Sequence, residues 1–75
     1  MNSIEKACAL CGGPGKLAIL LNVAGPTVHQ WVAGVRPVPL ERCAAIEKIL
    51  NGAVTCEELR PDKAEYWAYL RGLVG

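Results

Sequence analysis

Apolar residues recur along this chain at helical spacing, in short runs that glycine, proline and asparagine interrupt. Ile4, Ala7, Cys8 and Cys11 form the first stripe, which predicts a helix from about Ile4 to Cys11, capped by Ser3 and ended by the GGPG run that follows. Pro14 suits the first turn of a second helix, where a missing N–H costs little, and Leu17, Ala18, Leu20 and Leu21 supply its buried side. That helix lasts about two turns, because Asn22 accepts the left-handed conformation of a sharp turn and the β-branched Val23 comes next. Pro26 opens a third helix with Val28, Trp31 and Val32 on one side and Thr27, His29, Gln30 and Ala33 on the other, and Gly34 closes it.

Pro37 and Pro39 push the residues before them out of the α region, so Arg36 to Pro39 is extended. A fourth helix from about Leu40 to Leu50 turns Cys43, Ile46, Ile49 and Leu50 inward and stops at Asn51-Gly52. The TCEE run from Thr55 is a capping box that starts one more turn. DKAE, from Asp62, is a second box and launches a final helix, about residues 62–73. The expected fold is all-α: a compact bundle of five short helices, one domain over residues 1–75.

Composition agrees, since 52% of the 75 residues are hydrophobic and Phe is absent, which suits closely packed helices of Leu, Ile, Val, Ala and Cys. At this length a single core is close to the minimum for stability, so self-association would help. The opening MNSIEKACALCGG has an early acid and too short an apolar run for a secretory signal. No run approaches the roughly 20 apolar residues of a membrane span. The expectation is a cytoplasmic protein with no membrane contact.

Two short helices joined by a tight turn form a helix-turn-helix, here about residues 14–33, if the apolar positions lock them at a steep angle. Leu17, Ala18 and Leu21, Val23 in the turn, and Val28 and Trp31 stand where such a lock needs them. Ala18 matters most, because a longer side chain at the crossing would wedge the helices apart. In this motif the outer side of the second helix enters the DNA major groove.

The run LAILLNVAGPTVHQWVAGVRPVPLERCAAIE, followed by GAVTCEELRPD, resembles the phage-repressor branch of helix-turn-helix regulators, and more closely the YdaS-type, Cro-like prophage regulators. The match spans about residues 10–63. The resemblance implies a lambda-repressor-like five-helix domain that binds double-stranded operator DNA, usually as a dimer, in a prophage or toxin-associated control region. It also implies four departures. The family usually has glutamine at Pro14, glycine at Asn22, a capping serine at Ala24 and glutamine at Gly25, so three polar side chains are missing from the reading end.

The candidate DNA-binding residues are Lys16, Gly25, Pro26, Thr27, His29, Gln30 and Arg36. Gln30 is the base reader, since its amide matches the major-groove edge of adenine. Thr27 can touch a thymine methyl or donate to phosphate, Pro26 offers apolar contact, and Gly25 lets the backbone approach closely. The resemblance places His29 toward the DNA. Lys16 and Arg36 would position the duplex without reading sequence. Net charge is only +1, yet no carboxylate lies between Glu5 and Glu41, while Lys6, Lys16 and Arg36 do. That half of the chain does not repel phosphate.

Tyr66, Trp67, Tyr69, Leu70, Leu73 and Val74 are too many apolar residues for one side of a short helix. With Trp67 and Leu70 facing the core, Tyr66, Tyr69 and Leu73 form a second surface, expected to be the contact of a homodimer that sets two reading helices one DNA turn apart. The alternative is a protein-interaction module that keeps the scaffold but binds a partner protein, such as a toxin. Cys8 and Cys11 have the spacing of a zinc half-site, but Cys43 and Cys56 are too far apart for the other half. Buried thiols are the better reading, with no metal or cofactor. One histidine without a nucleophile partner, one serine and scattered acids give no catalytic arrangement, so no enzyme is expected.

Overall fold

The structure is a computed structural model that describes residues 2–74; Met1, Gly75 and the side chain of Val74, counted above with the last helix, lie outside the described residues. Backbone geometry sets the helix lengths. The helices α1 (Ser3–Cys11), α2 (Pro14–Leu21), α3 (Gly25–Ala33) and α4 (Leu40–Ile49) are each followed by a residue in the left-handed region: Gly12 (φ 96°), Asn22 (57°), Gly34 (76°) and Asn51 (55°). Each of these turns closes with the same pair of hydrogen bonds. In α2, the Asn22 N–H donates to Ile19 O at 3.1 Å and the Val23 N–H to Ala18 O at 3.0 Å. In α3, Gly34 N–H donates to Trp31 O at 3.2 Å and Val35 N–H to Gln30 O at 3.0 Å.

The last part of the chain contains α5 (Cys56–Leu59), a 3₁₀ turn (Pro61–Lys63) and α6 (Ala64–Val74), so the predicted single turn is a sixth short helix, and no strand occurs among the described residues. The Thr55 capping box is present in both directions, with Glu58 N–H donating to Thr55 Oγ1 at 3.3 Å and Thr55 N–H to Glu58 Oε1 at 3.2 Å. The two other predicted caps differ. Asn2, not Ser3, caps α1 by accepting from Glu5 N–H at 2.8 Å, because the helix begins one residue earlier than the apolar stripe. Asp62 gives both carboxylate oxygens to Arg60, at 3.0 and 2.9 Å, and the 3₁₀ turn leads into α6 instead.

Leu17, Val28, Cys43, Ile46 and Val54 are fully buried at the centre, one or more each from α2, α3, α4 and the loop before α5. Around them α1 packs on α2 and α3, α4 on α2, and α5 on α1, α4 and α6. Two expected core positions are outside: Leu20 is 54% and Ile49 39% exposed. In each helix the buried stripe is narrower than the apolar sequence, Leu17, Ala18 and Leu21 in one case and Cys43 and Ile46 in the other. Leu50, just past α4, does pack against the core.

Three arginines join the layers. The Arg42 guanidinium donates to Leu21 O at 2.9 Å, satisfying a carbonyl at the open end of α2 and binding α4 to it. Arg60 donates to Val38 O at 2.8 Å, and the buried Val38 side chain pins the proline-bounded segment after α3 from the other side. Arg71 of α6 reaches Glu57 at 2.7 and 2.8 Å and Glu47 at 2.7 Å, and the same Glu47 oxygen accepts the first N–H of α5, from Cys56, at 2.9 Å. Trp67 buries its indole beneath α6, but its Nε1–H meets no acceptor among the described residues. Such a group costs about 1–3 kcal/mol, set against the burial of the Trp67 ring.

Two predictions follow from these joints. Asn22→Gly should leave thermal stability unchanged or slightly higher, whereas Asn22→Val should lower it by about 1–2 kcal/mol, the cost of a β-branched residue in the left-handed region; thermal unfolding followed by circular dichroism measures both. The Arg71 guanidinium holds the Glu47 and Glu57 carboxyls below the usual carboxylate range. Their contribution is therefore complete above the unfolded value of about 4.3 and is lost as pH falls through the lower folded values. Denaturant unfolding at pH 7 should show Glu47→Gln less stable than the parent, and the gap should close on acidification below about pH 4.

Candidate nucleic-acid interface

Eight residues of α2 and nine of α3 meet across the Asn22 turn. Leu17, Ala18 and Leu21 face Val28 and Trp31, all of them buried, and Val23 packs beneath the turn. Ala18 is 4% exposed, as a crossing point requires. With α3 fastened along Val28, Trp31 and the half-buried Val32, its other residues are not needed by the core. Pro26, His29 and Ala33 are exposed and Gly25, Thr27 and Gln30 half-buried, so the predicted reading residues share the outer side and first turn of one helix.

The start of α3 is open. Ala24 supplies no side-chain cap, Pro26 brings no N–H, and Thr27 N–H donates back to Ala24 O at 3.0 Å. A Cβ built on Gly25 meets nothing within 4 Å, so the chain can approach a flat surface closely here. No carboxylate stands on α2, α3 or the segment after them. An uncapped helix start without local negative charge attracts phosphate oxygens.

The flanking cations divide by task. Arg42, Arg60 and Arg71 are engaged within the fold, while Lys16 and Arg36 are exposed and enter no ion pair among the described residues. Lys16 lies in the first turn of α2, on the same face as the exposed Ile19 and Leu20. Arg36 leaves α3 two residues past Gly34, on the segment that Val38 anchors. Tyr66, Tyr69 and Leu73 are 46%, 65% and 67% exposed on a different element, α6, with Trp67 and Leu70 turned to the core.

Sequence reading missed the outward face of α2 and the internal work of Arg42. The first was masked because every residue from Leu17 to Leu21 is apolar; the second, a long-range bond to a main-chain carbonyl, left no signal. The cysteines are separate from this surface. Burial pushes the Cys43 thiol up to about 11 and Cys56 up to about 12, and raises Cys8 and Cys11, so none is poised as a thiolate at neutral pH. No helix among the described residues is long and apolar enough to cross a membrane.

A pair of short helices locked across a left-handed turn, the second displaying a side that packing does not use, is a helix-turn-helix domain. Known proteins place it further. A family model described as bacterial toxin YdaS matches residues 4–70. YdaS of Escherichia coli (strain K12), described as a candidate transcriptional regulator, is 54% identical over 69 residues, which cover 92% of this chain and 68% of that protein. The solved Cro protein from prophage element Xfaso 1 of Xylella fastidiosa strain Ann-1 is similar with a TM-score of 0.75 at 47% identity, over 83% of this chain and 94% of that one. The chain belongs to the YdaS family and has a Cro-like helix-turn-helix fold; neither relative is described as an enzyme.

Proposed function

We propose that this protein is a sequence-specific DNA-binding transcriptional regulator of the prophage Cro/repressor type, which represses by occupying an operator with α3 in the major groove. The observation that carries the reading is the two-sidedness of α3: Val28 and Trp31 are consumed by the core, and Pro26, Thr27, His29 and Gln30 are left beside an uncapped start. Relatives described as a regulator and a Cro protein support it. Gln30 discriminates bases, while Lys16, Arg36 and the first-turn backbone at Gly25 hold phosphates and set the register. The protein works in the cytoplasm, where its operator is.

Two copies join through Tyr66, Tyr69 and Leu73. A two-fold contact there buries the surplus apolar side of α6 and sets the two reading helices about 34 Å apart, one turn of the duplex.

A second reading, a module that binds a partner protein such as a toxin, draws on the polar side chains absent at Pro14, Ala24 and Gly25 and on the family's description. Selection from a random duplex pool at about 150 mM salt, where non-specific phosphate binding weakens steeply, separates the two. Enrichment of an inverted repeat with half-sites about ten base pairs apart is the expected result. No salt-sensitive DNA binding, together with co-purification of a neighbouring gene product, is the result of the second reading.

On the enriched duplex, Gln30→Ala should erase about 1–3 kcal/mol of discrimination at one base pair, and Arg36→Ala should weaken all duplexes alike and reduce the salt slope by about 1. Uniform loss in the Gln30 variant would refute its assignment. Tyr69→Glu, at an exposed position, should shift sedimentation from dimer to monomer and weaken operator binding without unfolding the domain; an unchanged dimer would place the contact elsewhere.

A further inference from the structure

The nine residues of α3, GPTVHQWVA, contain no charged side chain. Readout of guanine in the major groove most often uses Arg or Lys, which offer two donors to O6 and N7, and readout of cytosine uses Glu or Asp, which accept from N4. Neither kind is present on the helix or among residues 17–35. What α3 does carry outside the core is one amide, Gln30, one hydroxyl, Thr27, one imidazole, His29, and the apolar surfaces of Pro26 and Ala33.

The order along the helix adds to this. Ala24, Gly25, Pro26 and Thr27 are all short, nothing lies within 4 Å of a Cβ built on Gly25, and Gln30 is the longest flexible side chain one turn behind them. A start without bulk lets the helix end sit deep in the groove, where apolar atoms meet thymine C5-methyl groups. Gln30 then spans back to the N6 and N7 edge of an adenine. Thr27, His29 and the Gln30 amide can each donate to guanine O6 or N7, but none offers the charged paired donors with which Arg or Lys select guanine.

We propose that α3 reads A·T pairs at the centre of each half-site, with Gln30 on an adenine and thymine methyls seated against Pro26 and Thr27. The inference rests on the DNA-binding reading above and adds the chemical class of sequence it selects.

The test is to run the selection in two random pools, one made with thymine and one with uracil, and then to measure Kd on the best thymine duplex with single thymines replaced by uracil or single adenines by 7-deazaadenine. Half-sites with central A·T pairs are expected, with about a fourfold loss for each contacted thymine, the worth of one buried methyl. The 7-deazaadenine loss should occur at one adenine per half-site and vanish in Gln30→Ala. Central G·C pairs, unchanged Kd with uracil, or a loss spread evenly along the duplex as altered stiffness would give, each overturn the proposal while leaving DNA binding intact. No enrichment in either pool overturns the DNA-binding reading and this inference together.

Discussion

Everything outside the core depends on the angle between α2 and α3. That angle is held by five buried side chains, Leu17, Ala18, Leu21, Val28 and Trp31, and by a turn in which Asn22 takes up a left-handed conformation. The lock has little slack. Ala18 allows close approach because it is small, and the Asn22 and Val23 N–H groups close the end of α2 so that no further turn can form. Arg42 then satisfies the Leu21 carbonyl from α4, so the open end of α2 is held from a third element. A helix set this way from behind leaves its front side chains without structural work.

Charge is distributed to the same effect. Arg42, Arg60 and Arg71 bind main-chain carbonyls or paired carboxylates, and the acids they meet lie in the second half of the chain. Around α3 there are cations without acids, and on α3 neither. On the proposed DNA-binding reading, attraction to the polyanion would come from the flanks, whereas the helix itself offers only shape and hydrogen bonds. Such a division separates affinity, which salt screens, from discrimination, which it does not.

Much of the fold was legible because its boundaries are local. Pro14 and Pro26 open helices, and Asn22, Gly34 and Asn51 close them, by conformational preferences that need no tertiary context. The side of α3 that faces outward was legible for the same reason. Leu20 is exposed against expectation because all six residues of α2 other than Gly15 and Lys16 are apolar or proline, so the period alone does not fix which stripe points inward; Ile49 keeps the helical spacing from Ile46 but is the last residue of α4. Asp62 was assigned to a cap because the spacing allowed it; Arg60, two residues away, competes for the carboxylate with a bidentate pair. Long-range bonds such as Arg42 to Leu21 leave no trace in spacing.

Helices α1 to α4 each end in a pair of main-chain hydrogen bonds about a left-handed residue, and the side chains that add to this, Arg42 at Leu21 O and Asn2 at Val32 O, stand on other elements than α3. His29 and Ala33, exposed on α3, are thus relieved of both packing and capping. On the proposed DNA-binding reading, substitutions at His29 and Ala33, and at the half-buried Gln30 beside them, would alter which duplex is chosen at little cost to the scaffold. On that reading, a lineage would change its target in single steps, each passing through a folded protein.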